Sequence, residues 1–432
     1  MKTLYIKDIP HTCRQGDTLE LFGWIRSVRN QKCQYFVDLE DATGKLGLCI
    51  DKAAQSFPPR VEQSVRCTGT LGTDLRGDLQ LRVTEMELLG DVKIPLSPPA
   101  RADFDVFSPR NASHVVHNKH LYIRNHKNRD ILIARDLVIA GVREWFRKNG
   151  YIDVTAPILT PILLYDKETG IDVHIKGQDA FLTQCVGFYL ESAVHSLERV
   201  YNIGPSFRGA ESVSKRHLME YWHIKSELAF CSFEEYFTVV EDLICFVTGY
   251  VKENGGEELA KGLNTTFCDD GLQTPFPRIE YTEAIRILNE NGISLPFGKS
   301  LNTQAEDFLS DYFGRPFWIV HKPRQIEGFP YKLHPEDPRL TETADLIASR
   351  RMGEILGIAD KITDVDMLKE RLAEKGKSEE EYRWFCELRE YGTVPHCGLG
   401  MGLERLIRWL FCMPHVKDVI PFPRRINQRI YP

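Results

Sequence analysis

The sequence predicts a small N-terminal β-barrel followed by a larger α+β domain. Five short segments of alternating apolar residues, with turn residues between them, fill the first 95 positions. Beyond residue 128 the apolar residues fall at helical rather than strand spacing. From there strand-like and helix-like segments alternate to the end, as in a mixed domain of about 300 residues. The 432 residues suffice for two or three domains and a sizeable core.

The barrel segments are "TLELFGWIRSV", "QYFVDLED", "KLGLCID", "SVRCTGTL" and "LQLRVTEMELLG". Their near-regular spacing predicts a closed or partly closed barrel over residues 1–95. The Pro-rich "KIPLSPPARAD" opens a linker over 96–128. His114, His117 and His120 lie in it without a Cys or carboxylate at ligand spacing, and read as solvated linker residues rather than a metal cluster. In "NRDILIARDLVIAGVREWFRKNG" a helix is predicted to stop at Gly150, opening the domain 129–432.

Composition narrows the function. The net charge of −6 gives no global basic field, so any nucleic-acid contact needs a local patch. The N-terminus lacks the apolar run of a signal peptide and no apolar stretch is long enough to span a membrane, so no membrane partner is expected. The 11 cysteines contain no CxxC pair, which fits a reducing cytoplasm.

Three segments carry candidate chemistry. "FRKNGYIDVTAPILTP" passes from a helix end into a strand broken by Pro157. "GPSFRGAESVSKRHLMEY" reads as strand, polar loop and strand, with Arg208 closing the first and Arg216 and His217 opening the second. "GLGMGLERLIRWL" is a glycine-rich strand running into a helix with Leu403, Leu406, Ile407 and Leu410 at i, i+3, i+4 and i+7. Arg405 falls in that helix's first turn, where an anion is favoured. Each alone reads more readily as a tight junction or a surface arginine than as a functional motif; their order and spacing together are more specific.

Together they resemble the three signature motifs of the class II aminoacyl-tRNA synthetases, in the asparaginyl and aspartyl branch. "RHLMEYW", "SELAF", "YGTVPHCGLGMGLERL" and "KDVIPFPR" resemble its asparaginyl members most. The resemblance covers nearly the whole chain. It implies an OB-fold anticodon-binding barrel and a catalytic domain built on an antiparallel sheet flanked by helices. It also implies a homodimer through the segment around Pro157. The implied reaction is attack of a carboxylate on the α-phosphate of ATP, giving an acyl-adenylate and pyrophosphate. By the resemblance, Arg208 would take the α-phosphate and substrate carboxylate, Arg216 and His217 the outer phosphates, and Arg405 the γ-phosphate. It likewise implies that Tyr221 stacks on adenine, that Asp345 and Glu354 hold Mg²⁺, and that Glu168 receives the substrate's α-ammonium. ATP's charge and the hard carboxylate oxygens suit these residue types.

The departures cluster around the amino-acid pocket. The family reads Phe-Arg-x-Glu, but that Glu position is Ala210, and Glu211 comes one step later, on the opposite face of a strand. Either Glu211 reaches back around the loop, or the carboxylate that helps hold adenine is missing. Gly187 stands where the family carries a substrate-contacting Gln, and Leu190 where aspartyl enzymes carry Lys. Lys361 takes the place of the Arg that reads the side chain, and Ala359 that of a Ser. Alternation puts Met219, Tyr221, His223, Lys225 and Glu227 on one strand face, so Lys225 faces the pocket where asparaginyl enzymes carry Glu. Lysine donates and cannot accept, so a pocket of Lys225 and Lys361 suits a carboxylate better than a carboxamide. The alternative is that Lys225 pairs with Asp360 or Glu227 and props the wall.

In the barrel, Phe36 matches the aromatic that stacks on an anticodon base, or is barrel core. Gly47 replaces a base-reading Gln and Glu40 an Arg, both expected to weaken RNA reading. The sequence therefore predicts an ATP- and Mg²⁺-dependent ligase that adenylates an altered amino acid or related carboxylate and passes it to tRNA, ammonia or a small amine. A true asparaginyl enzyme and a silent RNA-binding dimer are the alternatives.

Overall fold

The structure, a computed structural model, describes residues 1–432 apart from 55, 99, 101–103, 211–213 and 427. Glu211 therefore lies outside the described residues. Two compact units divide the chain, Met1–Arg129 and Asp130–Pro432.

The first unit is built on β1 (Thr18–Asn30), β2 (Gln34–Glu40), β3 (Lys45–Asp51), β4 (Ser64–Thr73) and β5 (Leu79–Gly90), closed in the order β1-β2-β3-β5-β4. Alternation turns Leu19, Leu21, Ile25, Val37, Leu39, Leu48, Ile50, Val65 and Leu81 inward as one core. Burying such a side chain contributes about 1.5–3 kcal/mol. A bulge between Ile25 and Ser27 bends β1. At Gly69 a Cβ would stand 2.2 Å from the Arg82 carbonyl oxygen, so β4 and β5 approach there only because the residue is glycine.

Residues 96–128 are not the plain linker expected. Helices form at Ala112–His117 and Lys119–Tyr122. Val106, Val115 and a fully buried Tyr122 cluster with Ala100, supplying the apolar contacts that order the segment. His114 Nε2 lies 3.0 Å from the Tyr122 hydroxyl.

The second unit is built on an eight-stranded sheet. Its strands are β6 (Ile152–Asp153), β10 (Arg199–Phe207), β11 (Glu220–Ala229), β12 (Arg278–Glu280), β13 (Phe317–Val320), β14 (Thr343–Ala348), β15 (Gly353–Asp360) and β16 (His396–Gly402). The order is β12-β13-β14-β15-β16-β11-β10-β6, antiparallel except at β12/β13 and β10/β6. A separate sheet pairs β7 (Leu159–Thr160), β9 (Gln178–Leu182) and β8 (Asp172–Ile175). The helix His126–Lys148 stops at Gly150, whose φ of 74° lets Tyr151 N–H reach the Phe146 carbonyl at 2.9 Å. Ser232 and Glu235 form a capping box on the helix Phe233–Val251. In the helix Leu403–Leu410, the residues Leu403, Leu406, Ile407 and Leu410 are fully buried, as their spacing requires.

The register between β11 and β16 prepares the site. His223 pairs with Gly402, Lys225 with Gly400 and Glu227 with Gly398. Three polar side chains thus lie opposite three glycines. A Cβ at Gly400 would stand 2.3 Å from Lys225 Nζ, and one at Gly398 2.4 Å from Glu227 Oε2. The alternating glycines of "GLGMG" clear the space those side chains occupy.

Candidate active site

A cavity of about 350 Å³ opens over β11, β15 and β16. It brings together ten of the residues singled out from sequence: Arg208, Arg216, His217, Tyr221, Asp345, Glu354, Arg405, Gly187, Lys225 and Lys361. Glu168 is not among its lining residues. It sits exposed on the 3-10 turn Lys167–Thr169, which the Gly170 N–H closes onto the Lys167 carbonyl. Phe36 belongs to the barrel and is treated below.

One end of the cavity is cationic, and most of its cations already have carboxylate partners. Arg216 bonds Glu306 and donates to Thr303 Oγ1 at 2.9 Å. Arg405 lies 3.0 Å from Glu354 Oε1 and 3.3 Å from His217 Nε2. Burial and Arg405 press the His217 imidazole down to about 4, so it stays neutral. Among the described residues Arg208 has no carboxylate partner; its guanidinium lies 5.8 Å from the Tyr165 ring centroid. Burial lifts the Tyr221 hydroxyl to about 12. Anionic phosphates would compete with Glu306 and Glu354 for these arginines.

Asp345 and Glu354 line the same wall, with Lys322 Nζ 2.6 Å from both Asp345 Oδ2 and Glu327 Oε1. Burial raises the Asp345 carboxyl to about 7; Lys322 works against that, and Glu354 and Glu327 add to it. Two carboxylates thus meet on one ammonium, with Glu354, paired to Arg405, on the same wall. That excess of hard oxygen donors fits a divalent cation shared with a nucleotide.

The other end departs from the sequence expectation. Lys361 lines the cavity, but its ammonium is already paired. Its Nζ lies 3.0 Å from both Glu191 Oε1 and Glu227 Oε1, and the residue is 7% exposed. Arg389 holds the other Glu191 oxygen at 2.5 Å. Burial opposes the Glu191 charge, but Lys361 and Arg389 keep its carboxyl well below the ordinary range. Nor is the pocket without an acceptor. Glu227 Oε2 is buried with no hydrogen-bond partner. Lys225 pairs with neither anticipated partner, since Asp360 holds Lys332 and Glu227 holds Lys361. Among the described residues its ammonium has no ion pair. A Cβ at Gly187 would stand 3.1 Å from Cys185 Sγ and 3.7 Å from Glu227 Oε1, a tight fit.

Glu191, Glu306, Lys322, Glu327 and Arg389 escaped sequence reasoning. A charged residue in an apolar helical stretch, as Glu191 is in "GFYLESAVHSL", was the one signal available. Outside the cavity, His321, His334 and Glu342 have ligand atoms within 4.8 Å of one another. His334 Nδ1 accepts from the Glu336 and Asp337 N–H groups, which keeps its proton on Nε2 and opposes metal ligation there.

In the barrel, Phe36 is half-buried on the outer face, outside the inward cluster, with the Arg29 guanidinium 5.9 Å from its ring centroid. The core reading of Phe36 does not hold. The expected charge reversal at Glu40 does not reach the surface either. Glu40 is buried, 3.2 Å from Arg26 Nε and near Lys45 and Arg129, so its charge is met internally.

The family described as tRNA synthetases class II (D, K and N) matches residues 111–426, and the OB-fold nucleic acid binding domain matches residues 19–89. The chain is 32% identical over 421 residues to the asparagine–tRNA ligase of Pelotomaculum thermopropionicum, covering 95% of this chain and 96% of that protein. The asparaginyl-tRNA synthetase of Pyrococcus horikoshii, solved with asparaginyl-adenylate, superposes with a TM-score of 0.91 at 30% identity over 100% of both chains. The Entamoeba histolytica asparaginyl-tRNA synthetase, also solved with asparaginyl-adenylate, gives 0.86 at 27% identity over 98% of each.

Proposed function

This chain belongs to the class II (D, K and N) tRNA synthetases, as a ligase of asparaginyl type, and from that premise we propose that it adenylates an amino acid with an anionic side chain. The acyl group then passes to tRNA, ammonia or a small amine. The observation that carries the substrate is Lys225, a cavity-lining ammonium with no carboxylate partner among the described residues.

Arg208 would orient the substrate carboxylate against the α-phosphate of ATP. That carboxylate oxygen forms the new P–O bond and pyrophosphate leaves with the electrons of the old one. Arg216 and Arg405 would exchange Glu306 and Glu354 for the departing phosphates. Positioning and charge stabilisation supply most of the catalysis in such a transfer. Asp345 and Glu354 would hold Mg²⁺, which would neutralise phosphate charge. Tyr221 would carry the adenine, and Glu168 the α-ammonium if its turn folds inward. Lys225 would pair with the side-chain carboxylate.

A second reading has its own support. Glu227 Oε2 can accept from an amide NH₂ while Lys225 donates to the amide oxygen, which would make asparagine the substrate. Amino-acid-dependent ATP–pyrophosphate exchange, with and without tRNA, separates the two. Exchange with aspartate and not asparagine is expected. Exchange with asparagine alone supports the second reading, and none at all supports a silent RNA-binding protein.

For partners, the OB-fold barrel supports tRNA, and exposed Ile152, Ile158 and Leu159 beside Pro157 support a homodimer. Sedimentation of the intact protein tests the dimer. Among the described residues no helix is long and apolar enough to cross a membrane. A cytoplasmic location is proposed from the family.

A further inference from the structure

We propose that His223 is the general base of the acyl-transfer step, taking the proton from the acceptor's nitrogen or oxygen as that atom attacks the acyl-adenylate carbonyl. The inference rests on the adenylate-forming reading above.

Strand β11 sets Tyr221, His223 and Lys225 along one face, about 6.7 Å between successive positions. All three line the cavity. With adenine at Tyr221 and the substrate side chain at Lys225, the carbonyl joining them lies over His223. The ring is held from behind. Its Nδ1 is 3.3 Å from Oγ of Ser206, a fully buried residue on β10. With the proton on Nδ1, donated to Ser206, the lone pair stands on Nε2. That atom faces the clearing above Gly400, 3.4 Å from where a Cβ would stand, and Lys225 Nζ borders the same clearing at 2.3 Å.

The surroundings favour a neutral ring. Burial, then Lys225 and Arg405, hold its pKa well below 6.5. The groups facing it are Lys225 and Tyr221 on its own strand, Arg405 from the helix Leu403–Leu410 and Ser206 from β10, while β16 presents glycines. A proton gained beside two cations is quickly passed on. The step balances: the acceptor's lone pair forms the new bond to the carbonyl carbon, the C–O bond to phosphate breaks, and AMP leaves. The acceptor's proton goes to Nε2 and then to solvent.

The test chases a preformed aspartyl-adenylate complex of the full chain with ammonium chloride, and separately with unfractionated tRNA, in single turnovers. For His223→Gln, transfer is expected to fall about 100-fold, within the range of general-base catalysis, and pyrophosphate exchange by less than about 10-fold. For His223→Gly, added imidazole is expected to restore transfer, which a merely structural histidine would not allow. Equal losses in both half-reactions of His223→Gln overturn the proposal. So does failure of imidazole to rescue a His223→Gly protein that still exchanges pyrophosphate. A wild-type protein that shows no exchange overturns the adenylate-forming reading itself, and this inference with it.

Discussion

Lys361 Nζ sits 3.0 Å from Glu191 Oε1, across 170 residues of sequence, and the two charges are buried together in the cavity wall. Glu227 and Arg389 complete the group. Removing the ammonium would leave two buried carboxylates facing each other. The Lys361→Met protein is therefore expected to lose about 3–5 kcal/mol of stability, read by urea unfolding. The pH dependence has two limbs. Glu191 is held below its ordinary 4.5, so its share is present above that value and is lost as pH falls through the depressed one. Lys361 is held above 10.5, so its share is present below that and is lost as pH rises through the raised value. Glu227 is already raised above its ordinary 4.5 by burial and Glu191, and losing Lys361 raises it further, so the gap between wild type and variant should widen as pH rises from 4.5 through that raised value. A gap that stays flat above 4.5 would contradict this assignment.

The unpaired ammonium at Lys225 leads to a specificity prediction. Lys225→Glu replaces a donor with an acceptor at the point where asparaginyl enzymes carry Glu. An amide NH₂ left unpaired in a buried site costs about 1–3 kcal/mol. The variant should therefore gain about 5- to 150-fold in exchange with asparagine relative to aspartate. Parallel loss with both amino acids would show that Lys225 only supports the wall.

The sequence made some of this site legible and hid the rest for physical reasons. Strand alternation placed Tyr221, His223, Lys225 and Glu227 on one face, because period two is a local property of the chain. Helical spacing put Leu403, Leu406, Ile407 and Leu410 inside for the same reason. What alternation cannot supply is the partner. Lys322 and Asp345 are 23 residues apart and Lys361 and Glu227 are 134. Those pairs depend on how β11, β13, β14 and β15 stack in the sheet. For that reason the sequence predicts two free lysines in the pocket, whereas among the described residues only Lys225 is left without a carboxylate.

Asp41 gives a prediction for the barrel. Its carboxylate accepts from Ile6 N–H at 3.0 Å and Thr43 N–H at 2.7 Å, and pairs with Lys2 at 2.6 Å. Burial raises its pKa, but Lys2, Thr43 and Ile6 together bring it down to about 2. The folded value lies below the ordinary 3.8, so the contribution is present above that and disappears as pH falls through about 2. Asp41→Asn should cost about 1–3 kcal/mol near neutrality and release the first residues to proteolysis. Thermal unfolding of wild type and variant should converge as the solution is acidified below pH 4. A difference that persists to pH 2 would assign the loss to packing instead.

Phe36 and Arg29 supply the prediction for RNA. The ring stands outside the inward core, so Phe36→Ala should change stability by no more than about 0.5 kcal/mol. A stacked base typically contributes about 1–3 kcal/mol, so tRNA affinity should fall about 5- to 150-fold if this face reads the anticodon loop. Arg29→Ala should act differently. Losing one cation near phosphate should lower the slope of affinity against salt by about one, whereas Phe36→Ala should leave that slope unchanged. Fluorescence titration of unfractionated tRNA at several salt concentrations measures both. Unchanged affinity in both variants would show that the outer face of β2 does not contact RNA, and would move any tRNA contact to another surface.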